Sequence, residues 1–286
     1  MDTTVSKRGR WVLRFFFAFF VVFLYAPLLL LVMFSFNDAD VPSFPLSGFT
    51  TDAYEQFASN DQLKASVVTS IKVSAIASFV SVVLGLLAAI ALVRRRFLGK
   101  AVVVALLLSP LVIPYIVFAI ALLILFSQLD RLPGIVFPLS IWTLVIGHVV
   151  ILLPAVILIL VPRLERIDVR LEEAAQDLGA GWVRTFRSIT LPLIWPALLS
   201  AFLIAFVFSF DEIVLASFVA GDATTFPLYL FSQLRFPTLL PQVIAVAVIV
   251  FAVSMLVIVL TEVGRHVVER RLQIELDPAK TVAGVE

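Results

Sequence analysis

Six continuous apolar runs constrain this chain more than any other feature. They lie at about 12–36, 66–93, 101–127, 137–160, 197–220 and 241–263. Each is long enough to cross a bilayer as a helix, which takes about 20 residues. The first reads WVLRFFFAFFVVFLYAPLLLLVMFSF. None alternates apolar and polar residues in stretches of about 10, as lipid-facing β-strands do. Helices remain, because they satisfy their backbone hydrogen bonds internally. The expected fold is therefore all-α: a polytopic membrane protein with six transmembrane helices in one domain, 1–286. Composition agrees. Only 14% of residues are charged and 62% are hydrophobic, whereas a soluble domain carries about 25% charged residues. With no cysteine in the chain, disulfides and cysteine metal sites are excluded.

Lys7, Arg8 and Arg10 precede the first run and give it the start of a signal peptide. That run is longer than a signal peptide's apolar region of about 7–15 residues, and no A-x-A site follows it. It is read as a retained anchor. Orientation follows from lysine and arginine, which favour the cytoplasmic side. The N-terminus, the 94–100 loop, the 161–196 insert and the C-terminal tail hold all but four of the 21 basic residues. The four are Lys64, Lys72, Arg131 and Arg235. Both termini and the insert are thus expected in the cytoplasm. The 37–65 loop, with Asp38, Asp40, Asp52, Glu55 and Asp61, is expected outside. Pro27, Pro110, Pro114 and Pro154 fall in or beside the runs. They read either as kinks that shape packing or as hinges.

The insert is the polar exception in an apolar chain. Around LEEAAQDLGAGWVRTFRSITLPLIWP, Leu171, Ala174, Ala175 and Leu178 recur at i, i+3, i+4, i+7, one stripe of an amphipathic helix. Glu172, Glu173, Gln176 and Asp177 lie off it. Gly179 follows, where a helix end favours positive φ. A two-turn helix is marginal by itself, and so short a stripe binds a membrane weakly. It either folds back on the chain's own helices or docks in a partner's groove.

Glu173, Ala174, Ala175, Gly179, Ile189, Leu191 and Pro192 match an E-A-A, then Gly, then I-x-L-P pattern. This closely resembles the signature cytoplasmic loop of permease subunits of ATP-driven, binding-protein-dependent importers. Two further stretches, FPLSGFTTDAYEQFASNDQLKASVVTS (Phe44–Ser70) and FSFDEIVLASFVAGDATTFPLYLFSQLR (Phe208–Arg235), are similar to the spermidine/putrescine branch. One departure stands out: the branch's Pro-x-x-Asn-Ala near the last span becomes Pro241, Ile244, Ala245, without the asparagine. The resemblance implies a type I importer permease fold in the bacterial inner membrane. It implies ATPase coupling through Leu171, Glu172, Glu173, Ala174, Ala175, Asp177, Leu178 and Gly179. The implied partners are a dimer of ATP-binding subunits, a second permease of different sequence, a periplasmic substrate-binding protein and membrane lipid, with no nucleic acid. Alternating access is the implied mechanism. Polyamines are the first implied solute, with opines, other small organic cations and amino-acid-like solutes still open.

No G-x-x-x-x-G-K-[ST] stretch occurs. At the one Gly-Lys pair, Gly99–Lys100, Arg94 stands where the first glycine belongs. ATP and Mg are therefore expected on a partner, with no catalytic residue, cofactor or metal site here. Asp211 and Glu212 fall late in the fifth run, where carboxylates are costly and face a bundle interior or wet cavity. They are candidates for a cationic solute's path, or alternatively for a gate or packing role. His148, alone in the fourth run, reads as a hydrogen-bonded packing residue. Lys72 either snorkels or pairs with a carboxylate. A self-contained secondary transporter or channel driven by an ion gradient is the competing reading. It predicts intramembrane ion sites and inverted repeats, and the two halves show no evident repeat.

Overall fold

A computed structural model of the chain describes residues 7–39, 41–134, 136–236 and 239–275. Asp40 and Lys280, counted in the charge argument, lie outside them. The regular elements among the described residues are helices. In chain order they are α1 (Lys7–Phe34), α2 (Asp52–Ser59), α3 (Asp61–Arg94), α4 (Lys100–Leu108), α5 (Tyr115–Asp130), α6 (Ile141–Glu165), α7 (Val169–Asp177), α8 (Trp182–Thr185), α9 (Leu191–Phe210), α10 (Val214–Val219), α11 (Phe226–Gln233) and α12 (Leu240–Glu275). A π-turn, Phe186–Thr190, joins α8 to α9. Among the described residues, four stretches are long and apolar enough to cross a membrane: Arg8–Phe34, Asp61–Arg94, Ile141–Glu165 and Trp182–Phe210. The α4–α5 pair qualifies as a fifth if counted as one span. The apolar part of α12, Leu240–Leu256, is shorter.

Two compact units divide the chain. One comprises Met1–Lys64 and Leu230–Val253. Here α1 leaves its whole apolar window unburied, as suits a helix surrounded by lipid or another subunit. The loop after it is tied by side chains. Ser35 Oγ lies 2.8 Å from the Tyr54 hydroxyl, and the Phe36 and Tyr54 rings are 5.1 Å apart. Asn60 Nδ2 donates to Gln242 Oε1 at 2.9 Å, joining the start of α12 to the entrance of α3.

The other unit comprises Ala65–Tyr229 and Ser254–Glu286. Its core gathers Val73, Ala77, Leu144, Val156, Leu160, Ile194, Leu198 and Leu215 from α3, α6, α9 and α10. Small residues let the backbones approach, the usual device where lipid cancels the hydrophobic drive between helices. The buried face of α3 carries Ser66, Ser70, Ser74, Ser78 and Ser81. A Cβ added to Gly85 would run into Val156 of α6. Helix α6 starts with a capping box between Ser140 and Thr143, which satisfies amides that a helix N-terminus leaves free.

Two of the expected spans change shape. The run at 101–127 is not a straight crossing: α4 and α5 meet at 104°. Pro114 begins the new helix, and a residue before proline is pushed out of helical geometry. Pro27, Pro154 and Pro162 lie inside helices that continue through them. The run at 197–220 starts earlier than expected, because the helix is continuous from Trp182 through Pro196. It also ends earlier, breaking at residues 211–213 before α10.

Candidate functional site

The 161–196 insert folds as its periodicity predicts, with ends set by local chemistry. Asp168 caps α7, its carboxylate accepting from the Arg170 amide at 3.0 Å. At the other end Gly179 takes φ +86°. The Gly179 amide reaches the Gln176 carbonyl at 2.8 Å and the Ala180 amide reaches the Ala175 carbonyl at 2.9 Å, the paired bonds of a Schellman ending.

The faces of α7 are the reverse of a soluble amphipathic helix. Leu178 is 91% exposed and Leu171 49%, with Ala174 exposed beside them and Ala175 half-buried. The inward side chain is Glu172, whose Oε1 accepts from Arg94 Nη2 at 3.0 Å and from Thr190 Oγ1 at 2.8 Å. Glu173 and Asp177 are exposed. A cavity of about 410 Å³ lies alongside, lined by Arg94, Glu172, Gln176, Trp182, Phe186 and Thr190 among others. Arg94 is legible in the sequence only as one of a basic cluster; its pairing with Glu172, 78 residues away, is not. Its place in the basic 94–100 segment, expected on the same side as the insert, is the one available signal.

The second acidic pair sits at the break between α9 and α10. Glu212 is 7% exposed and folds onto the start of α10. Its carboxylate accepts from the Val214 and Leu215 amides, both at 2.8 Å. Helix N-termini carry free amides and partial positive charge, so a carboxylate there is favourable. Beside it, His148 Nδ1 lies 2.6 Å from Ser209 Oγ, and His148 Nε2 lies 3.7 Å from Glu212 Oε2. That accords with a packed, hydrogen-bonded histidine. Asp211 instead is exposed and lines a cavity of about 320 Å³ with Leu111, Tyr115, Phe208 and Ile213. Glu212 lines the same hollow, so the two acids differ in exposure and bonding: Glu212 is a nearly buried cap, while Asp211 is exposed. Lys72 is exposed and, among the described residues, ion-pairs with neither. Among the described residues, no group of three or more His, Asp or Glu is placed to hold a metal ion.

Comparison with known proteins agrees with this architecture. Residues 81–273 match the family described as "Binding-protein-dependent transport system inner membrane component". The chain is 38% identical over 256 residues to the "Spermidine/putrescine transport system permease protein PotC" of Haemophilus influenzae, covering 89% of this chain and 96% of the relative. It is 38% identical over 215 residues to the "Putrescine transport system permease protein PotI" of Escherichia coli K12, covering 74% and 76%. Its fold is similar to a chain of a bacterial ABC transporter involved in import of the acidic polysaccharide alginate, with TM-score 0.64 and 19% identity over 91% of this chain and 98% of the other. A structure of the alginate transporter with its pentasaccharide-bound periplasmic protein gives 0.67 and 17%, over 87% and 91%.

Proposed function

The chain belongs to the family of binding-protein-dependent transport system inner membrane components, and from that premise we propose that it is a permease subunit of an ATP-driven importer of polyamines or a related small organic solute. The observation that carries this reading is the orientation of α7. Leu171, Ala174 and Leu178 point outward from a helix whose inner side is held by Glu172. An exposed apolar stripe on a firmly seated short helix suits docking into a groove of another protein. The proposed owner of that groove is the cytoplasmic ATP-binding subunit, with Leu171, Glu172, Glu173, Ala174, Ala175, Asp177, Leu178 and Gly179 forming the coupling element.

Around it the proposal places one permease domain, 1–286, with six crossings and both termini in the cytoplasm. The crossings take α1, α3, the bent α4–α5 pair, α6, the α8–α9 stretch and α12. A second permease, two ATP-binding subunits and a periplasmic binding protein complete the assembly, within the lipid of the inner membrane. ATP and Mg belong to the partner, and this chain breaks no bond. A loaded binding protein docks outside, the ATPase pair closes on ATP, and motion passed through α7 opens the path outward; hydrolysis restores the inward-facing state. Support for a cationic solute comes from Asp211, whose charge faces a hollow edged by Tyr115 and Phe208. Carboxylate and aromatic ring together suit an alkylammonium group. Glu212 enters the path as the residue that holds Asp211's turn in place.

The test is co-purification followed by reconstitution. Tagged chain from its native membrane is expected to bring down an ATPase subunit and a second permease. In vesicles, that complex with loaded binding protein is expected to take up radiolabelled putrescine or spermidine only when supplied with ATP. Recovery without an ATPase, or uptake driven by an ion gradient alone, would refute the reading.

A further inference from the structure

We propose that Arg94, Glu172 and Thr190 form a staple that makes α7 and the cytoplasmic end of α3 move as one body, so that Arg94 and Glu172 are positioning residues for coupling. The inference rests on the reading of α7 as the docking element for the ATPase. It goes further by naming the route by which a push on α7 enters the membrane helices.

The geometry closes both ends of the insert on one point. Arg94 is the last residue of α3, a helix of 34 residues. One of its terminal nitrogens, Nη2, lies 3.5 Å from the Ile167 carbonyl, just before α7, and 3.0 Å from Glu172 Oε1 within α7. The same Glu172 oxygen accepts from Thr190 at 2.8 Å, at the far end of the insert. Residues 168–189 are thus a loop whose start and body are bonded to the end of α3 and whose finish is bonded to the same Glu172 oxygen. A carboxylate oxygen has the lone pairs to accept from both donors, and an arginine–carboxylate bond is charge-assisted. The two side chains are only 16% and 17% exposed, so salt screens the pair less than a surface one.

The loop needs such a tie because it is otherwise compliant. It contains the Gly179 turn, Gly181 and the π-turn Phe186–Thr190. π-turns are local departures from regular helix that often mark functional sites. Without the staple, a displacement of the exposed face of α7 is taken up by these joints. With it, the displacement reaches α3 through Arg94 and α9 through Thr190. A nine-residue helix is too short to resist such a push through its own stability.

The experiment uses the whole complex: this chain, the second permease, the ATPase subunits and the binding protein, reconstituted together. Uptake and ATP hydrolysis are measured in the same vesicles for wild type, Arg94→Gln, Glu172→Gln, Thr190→Val and the exchange Arg94→Glu with Glu172→Arg. In assembled complexes, solute moved per ATP is expected to fall about two- to thirty-fold in the two charge variants, the range seen for residues that modulate coupling without touching ligand. Thr190→Val is expected to give a smaller fall, and the exchange to recover part of the ratio. An unchanged ratio in both charge variants overturns the proposal. So does loss of assembly in both without recovery in the exchange, which would assign the pair to folding alone. If wild type itself shows no ATPase association, the functional reading fails instead, and the two failures are thereby told apart.

Discussion

The chain carries two adjacent acidic pairs in an apolar setting, and the structure treats them alike. In α7, Glu172 turns inward to Arg94 and Thr190 while Glu173 stays exposed. At the α9–α10 break, Glu212 turns inward to backbone amides while Asp211 stays exposed. The inner partners differ. Glu172 is held by a remote cation, whereas Glu212 is held by the amides of the next helix. A buried carboxylate must find donors or be strongly disfavoured, so one member of each pair is committed to the fold. The other stays exposed. Two neighbouring acids in such a chain are thus two kinds of residue, and burial sorts them.

Substitution distinguishes the inward acids from the outward ones. The largest expected effect is Glu212→Ala, which strips the Val214 and Leu215 amides of their acceptor. A loss of about 2–4 kcal/mol is expected from a lost cap plus unsatisfied amides, read as a drop in thermal midpoint of the purified protein. Glu172→Ala comes next. It leaves the Arg94 guanidinium without its carboxylate, for about 1–3 kcal/mol, measured in the same melts. Gly179→Ala forces a Cβ into φ +86° at about 1–2 kcal/mol and is expected to weaken ATPase pull-down along with stability. The smallest stability effects are expected for the outward partners. Asp211→Asn and Glu173→Ala should each stay within about 0.5 kcal/mol, while Asp211→Asn lowers cation uptake and Glu173→Ala lowers uptake per ATP. If Asp211→Asn destabilises more than Glu212→Ala, the inward–outward distinction is wrong.

Much of the fold is legible in the sequence, and the features that are not share a cause. Apolar run length located α1, α3, α6 and α12, because lipid forces a nearly one-to-one relation between run and helix. The ends of α7 were legible because capping is local: Asp168 and Gly179 act within one turn. The α4–α5 bend was not. Pro114 and Pro154 look alike in sequence, yet α6 runs through Pro154 while the chain turns at Pro114. Which proline breaks a span depends on how neighbouring groups satisfy the freed backbone, and that is a tertiary property. The inward turns of Glu172 and Glu212 were hidden for related reasons. The first partner is remote in sequence, and the second exists only once α9 has ended at Phe210.

The π-turn at Phe186–Thr190 has a consequence for how this segment tolerates insertions and deletions. A π-turn amounts to one residue added to an α-helix, and each residue of an α-helix turns it by about 100°. Deleting a single residue from 186–190 would restore regular helix and rotate everything downstream by that angle. Ile194, Leu198, Ala201, Ala205 and Ser209, now the buried edge of α9, would swing away from the core, and other positions would replace them. The segment therefore works as a phase setter: its length decides which side of the following span faces the protein, and a one-residue deletion there should be more damaging than most substitutions in the span itself.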